Sequence, residues 1–97
     1  MAKFITTVRY IVKDGCVEEL VRKHNDLDAD GIALSQQLIQ TSDNSFCWIG
    51  VFDSEEAIAT VRPKLIAQLD TFRHLLEEIS PELGVTDPVS GPVVWEV

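Results

Sequence analysis

Residues 53–83 constrain this chain more than any other stretch. Ile58, Val61, Leu65, Leu69, Phe72, Leu76 and Ile79 recur there at alternating steps of three and four, which lays one apolar stripe along a helix. The spacing predicts a long helix, with Asp53 as its N-cap and Glu56 three residues on to complete a capping box. Pro63 lacks an N–H and has a fixed φ, so it is expected to bend or split that helix near Arg62. A helix of this length in a 97-residue chain needs a flat partner to cover, and the flanking segments read as strands.

Residues 3–13 (KFITTVRYIVK) are rich in β-branched and aromatic side chains and end at Asp14-Gly15, which predicts a strand. Phe4, Thr6, Val8, Tyr10 and Val12 share one face, and Ile5, Thr7, Arg9 and Ile11 the other. Both faces are mainly apolar, as in a central strand. A helix capped by Asp14 should follow to about Asp28, with Glu18 and Glu19 in its first turn, where the helix dipole favours acids. Residues 32–41 carry Gln36, Gln37 and Gln40 and suit an edge strand. The polar link 42–45 predicts a hairpin into a third strand at 46–52 (FCWIGVF), in which Gly50 marks a bulge or a close approach. Residues 80–92 hold three prolines and two glycines and read as a loop, leaving 93–97 (VVWEV) as the last strand.

The order β-α-β-β-α-β is the split, ferredoxin-like arrangement. Residues 1–97 therefore form one α+β domain, a sandwich of two helices on a four-stranded antiparallel sheet. Strand three has Phe46, Trp48 and Phe52 on one side and Cys47, Ile49 and Val51 on the other. Two helices cover one face only, so a second apolar face implies a second molecule. The expected partner is another copy of the chain, in a homodimer.

Composition excludes several classes. Sixteen acids against eight bases give a formal charge of −8, with the bases scattered, so nucleic acid and anionic membrane surfaces are disfavoured. No apolar run reaches membrane length or forms a secretory leader, which sets the expected location as cytoplasmic. Cys16 and Cys47 form no CxxC pair and give no zinc-site spacing. No phosphate loop, HExxH motif or nucleophile elbow occurs. No metal or other cofactor is therefore expected.

Three passages resemble the antibiotic biosynthesis monooxygenase-like group of the dimeric α/β-barrel superfamily. They are Val12-Lys13-Asp14-Gly15 running into Val17-Glu18-Glu19-Leu20, Gly31-Ile32 before the second strand, and 46–52 running into Asp53-Ser54-Glu55-Glu56-Ala57-Ile58. The resemblance covers roughly residues 3–80. It implies a homodimer with sheets packed face to face around a cavity for a small, often aromatic, molecule. Some such proteins oxygenate it with O₂ and no cofactor, others degrade haem. The haem-degrading members carry an Asn on strand one, absent here, and a Trp early in helix two, where this chain has about Val61. His74 is out of register with their histidine.

Five residues stand out as site candidates. His24 lies within the apolar stripe of helix one, either as a satisfied core histidine or as a base facing a cavity. Arg9 in mid-strand needs a partner, with Glu96 on the last strand for a structural pair or an anionic ligand as the alternative. Tyr10, Trp48 and Trp95 are core aromatics or the wall of a substrate pocket. Three readings follow: a small homodimeric monooxygenase-like enzyme acting on a small organic substrate in the barrel cavity, a non-catalytic ligand-binding or stress-response protein of the same build, or a purely structural dimer.

Overall fold

A computed structural model describes residues 3–28 and 30–97. The chain runs β1 (Phe4–Val12), α1 (Val17–Asn25), β2 (Ser35–Gln40), β3 (Ser45–Phe52), α2 (Glu55–Asp70), a 3₁₀ turn (Arg73–Leu75), β4 (Leu76–Glu77) and β5 (Asp87–Pro92). The sheet is antiparallel, in the order β2-β3-β1-β4, with β5 also on β1. It has five strands rather than four because β4 and β5 share one edge of β1. β4 pairs at Ile11 and Val12, and β5 at 4–9. β1 is central and β2 is an edge, as the sequence indicates.

The continuous register from Phe4↔Phe52 to Ile11↔Ser45 decides which residues meet. Phe4, Thr6, Val8, Tyr10 and Val12 face the helices together with Phe46, Trp48 and Phe52. One core cluster joins Tyr10, Val12 and Phe46 to Leu20, Phe72, Leu75 and Leu76. A second joins Phe52 to Ile32 and Ile58, and Trp48 packs against both. Gly50 keeps its ladder partners on both sides, so it marks no bulge. It makes room for a ring, since a Cβ there would lie 2.5 Å from the Trp48 indole.

The second helix is shorter than its stripe suggests. Ser54, not Asp53, caps it, accepting a hydrogen bond from Ala57 N–H at 3.2 Å. The helix runs through Pro63 unbroken. Ala59, whose carbonyl loses its partner there, is exposed, so water can take the missing donor's place. Beyond Asp70, Phe72, Leu75 and Leu76 remain buried, but a tight turn and the β4 pairing bury them in place of a continuing helix. The first helix also starts later than expected, at Val17 behind Cys16 with no side-chain cap. Asp14 instead accepts from Asn44 Nδ2 at 2.9 Å.

The last strand lies at 87–92, not 93–97. Pro88 and Pro92 are tolerated because β5 is an edge, where a missing N–H breaks no inner ladder. Past β5, Val93 N–H donates to Lys3 O at 2.8 Å and Lys3 pairs with Glu96 at 3.2 Å. The outer sheet face presents Ile5, Ile11, Cys47, Ile49 and Val51 in register with Ile39 and Val89, and none of them belongs to either core cluster. Neither helix covers this face.

Replacing Gly50 with Ala should push the Trp48 ring aside and cost about 1–2 kcal/mol, the usual range for overpacking. Urea unfolding read by tryptophan fluorescence checks this. The expected result is a lower midpoint with altered native emission.

Candidate functional site

The site begins with β1. Strand alternation aims Tyr10 at the helices, where α1 presents His24 one turn after Leu20. The Tyr10 hydroxyl and His24 Nε2 are 2.8 Å apart, and His24 Nδ1 is 2.9 Å from the Leu20 carbonyl. A carbonyl can only accept, so Nδ1 carries the proton and Nε2 accepts from the Tyr10 O–H. Phe72 backs the pair, its ring centroid 4.6 Å from that of His24 and 5.8 Å from that of Tyr10.

Burial sets the charge state of both groups. Desolvation lowers the His24 pKa against a smaller opposing effect of the Leu20 carbonyl, so the imidazole is neutral at neutral pH. Desolvation, reinforced by Cys47, raises the Tyr10 pKa well above its ordinary range, so the phenol keeps its proton.

The pair lies on the wall of a cleft of about 700 Å³ between the sheet and the two helices. That volume is in the range of small-molecule sites. Val8, Leu38 and Trp48 form the floor, and Ile58, Leu65 and Leu69 of α2 form the roof. Thr6 and Ser90, joined by a side-chain hydrogen bond, add hydroxyls at one side. Gln68 also lines the cleft and donates to Asp28 O at 2.7 Å, tying α2 to the chain end of α1.

Of the five candidates, the structure brings three together: His24, Tyr10 and Trp48. The other two are elsewhere. Arg9 is on the outer sheet face, exposed, and forms its ion pair with Asp87, not Glu96. The register of β5 on β1 places Asp87 directly opposite it, while Glu96 lies beyond the strand beside Lys3. Trp95 is 78% exposed in the tail after β5 and is not on the cleft wall. The cleft itself is open to one side and lies between one chain's own sheet and helices, whereas the resemblance implied a cavity in a dimer with sheets packed face to face and left open which sheet face lines it. Arg62, Thr6 and Ser90 were not singled out in the sequence. Arg62 occupies the α2 face between Ile58 and Leu65, and that spacing was the one available signal.

Among the described residues no group of three or more His, Cys, Asp or Glu side chains is placed to hold a metal ion. Among the described residues no helix is long and apolar enough to cross a membrane. Cys16 and Cys47 are free and half-buried, and His74 is exposed.

This architecture is known from solved structures. The chain has the ferredoxin-like fold of antibiotic biosynthesis monooxygenase-like proteins. A dimeric ferredoxin-like protein from an uncultured marine organism matches with a TM-score of 0.75 at 9% identity, covering 100% of this chain and 92% of the other. A mutant of SnoaB, a cofactor-independent oxygenase from Streptomyces nogalater, matches at 0.70 and 13%, covering 100% and 98%. A mutant of MhuD with two manganese protoporphyrin IX molecules bound per active site matches at 0.66 and 17%, covering 97% of each chain. No family model matches the sequence, and no curated protein matches it. At these identities the likeness is one of fold.

Because its folded pKa is depressed, His24 binds fewer protons in the native than in the unfolded state as pH falls below about 6.5. Its contribution to stability is full above that pH and declines through the window down to the folded pKa. His24→Gln should flatten the urea midpoint against pH between the histidine and carboxylate ranges. An unchanged slope in that variant would mean that the ring takes up its proton in the fold as it does in the unfolded chain.

Proposed function

We propose that this protein is a homodimer that binds a small aromatic molecule in the cleft of each chain and oxygenates it with O₂. The observation that carries this reading is the neutral Tyr10–His24 pair on the wall of a mainly apolar cleft. A substrate hydroxyl hydrogen-bonded to the Tyr10 oxygen can pass its proton to that oxygen as Tyr10 passes its own to His24 Nε2. The phenolate left behind is electron-rich enough to react with O₂ at an activated CH₂ of its ring system. That carbon becomes a carbonyl, keeping one oxygen atom, and the second leaves as water. Electrons and atoms then balance between substrate and O₂ alone. Trp48 and Leu38 would hold the ring plane and keep bulk water away.

The second reading is a non-catalytic binding protein of the same build. One observation favours it: Nε2 is already engaged by Tyr10 at 2.8 Å, so no free base faces the cleft until that bond is shared.

Dimerisation is supported by the uncovered apolar face of Ile5, Ile39, Ile49, Val51 and Val89, of which Ile39 is 45% and Val89 62% exposed in the single chain. The structural match to a dimeric ferredoxin-like protein supports it too.

Oxygen uptake across a panel of phenols and quinols separates the readings. An oxygenase should lose about 10²-fold or more of kcat in His24→Gln and in Tyr10→Phe, the usual weight of proton transfer. Binding without uptake by any member of the panel supports the second reading. Light scattering should give twice the 10.8 kDa chain mass, and a monomer at micromolar concentration would exclude the dimer.

A further inference from the structure

The cleft has a charge pattern that its apolar walls conceal. The chain carries sixteen Asp and Glu residues, yet none lines the cleft, and its one permanently charged group is Arg62. Arg62 lies on α2 four residues after Ile58 and three before Leu65, so its stem lies along the roof while its exposed head is at the rim.

Lys13, Arg22 and Lys23 have no ion pair among the described residues, but none of them lines the cleft; the other cations on and around α2 and at the sheet are engaged. Lys64, two residues away, pairs with Asp28 at 3.7 Å, and Arg73 pairs with Asp70 at 3.0 Å. Arg9 and Lys3 are held by Asp87 and Glu96. Among the described residues Arg62 has no ion pair and no hydrogen-bonded side-chain partner. An unpaired guanidinium over an acid-free apolar cleft attracts one kind of guest: an apolar body with one negative end.

We infer that Arg62 selects for anionic aromatic ligands, taking a carboxylate at the rim while the ring system lies between Trp48 and Leu65. This rests on the reading of the cleft as a ligand site. It adds a polarity to that reading: the acid end is held at the α2 rim, and the opposite end of the ligand points toward Tyr10 and His24. The net charge of −8 makes the rim arginine more important, because the rest of the surface repels such a ligand.

Two probes of equal ring size separate the claims: 2-naphthoate and its neutral counterpart 2-naphthylmethanol. In a Trp95→Phe background Trp48 is the sole tryptophan of the chain's two, so its indole N–H resonance in a ¹H–¹⁵N spectrum reports cleft occupancy by contact. Both probes should shift it, with naphthoate binding several-fold more tightly at low salt, an advantage that fades as salt is added. Arg62→Gln should equalise the two affinities without weakening the alcohol, and Arg62→Lys should restore part of the difference. If the alcohol binds as tightly as the acid, or the acid keeps its advantage in Arg62→Gln, the role of Arg62 is overturned while the cleft stands. If neither probe moves the Trp48 resonance, the ligand-site reading fails, and this inference fails with it.

Discussion

The β1–β3 ladder is the constraint on which everything else depends. Its eight consecutive pairs fix which side chains of the two longest strands face the helices. A slip of one residue would reverse the faces of one strand against the other, turning either Tyr10 or Trp48 outward and bringing Arg9 or Cys47 beneath the helices. No other element could compensate, because α1, α2 and both β4 and β5 are placed by what β1 and β3 present. The hydrogen bond from Tyr10 to His24 is a direct consequence of this register.

The same ladder explains why a cleft exists at all. The apolar residues between sheet and helices are gathered into two clusters, one around Tyr10, Leu20 and Phe72 and the other around Phe52 and Ile58. Among the described residues only Trp48 reaches both. A small domain can stand such a gap when each end is closed by large side chains that are themselves fully packed. Phe52, Leu20 and Val12 are each less than 2% exposed. Trp48 is free to lean across because residue 50 is a glycine. Thus the size of the cleft depends on one missing side chain in β3 as much as on the residues that line it.

Polarity is divided between the two sheet faces in a way that suits two different tasks. The inner face has its polar groups paired within the site, as Tyr10 with His24 and Thr6 with Ser90. The outer face has one ion pair, Arg9 with Asp87, set within an apolar band. A charged pair whose members neutralise each other can be covered by a partner at lower cost than a lone charge. Arg9, for which the sequence left open a structural ion pair or a ligand anchor, takes the ion pair, with Asp87 in place of Glu96, and Arg62, to which the sequence gave no site role, lines the cleft.

The sequence by itself determined the order of elements from β1 to α2, the central and edge positions of β1 and β2, and the faces of β1, α1 and β3 on which Tyr10, His24 and Trp48 lie. All of these follow from periodicity within a segment, which needs no knowledge of distant residues. Tertiary structure decided the rest. β5 could not be read from two prolines and a glycine, because an edge strand is licensed by its neighbour more than 75 residues away and not by its own propensities. The end of α2 could not be read either: Phe72, Leu75 and Leu76 are buried whether the chain continues as helix or turns onto β1, so their spacing fits both. The partners of Arg9 and the place of Arg62 depend on register and on the gap beneath α2. Those are properties of how the elements meet, which the apolar rhythm of any one of them does not encode.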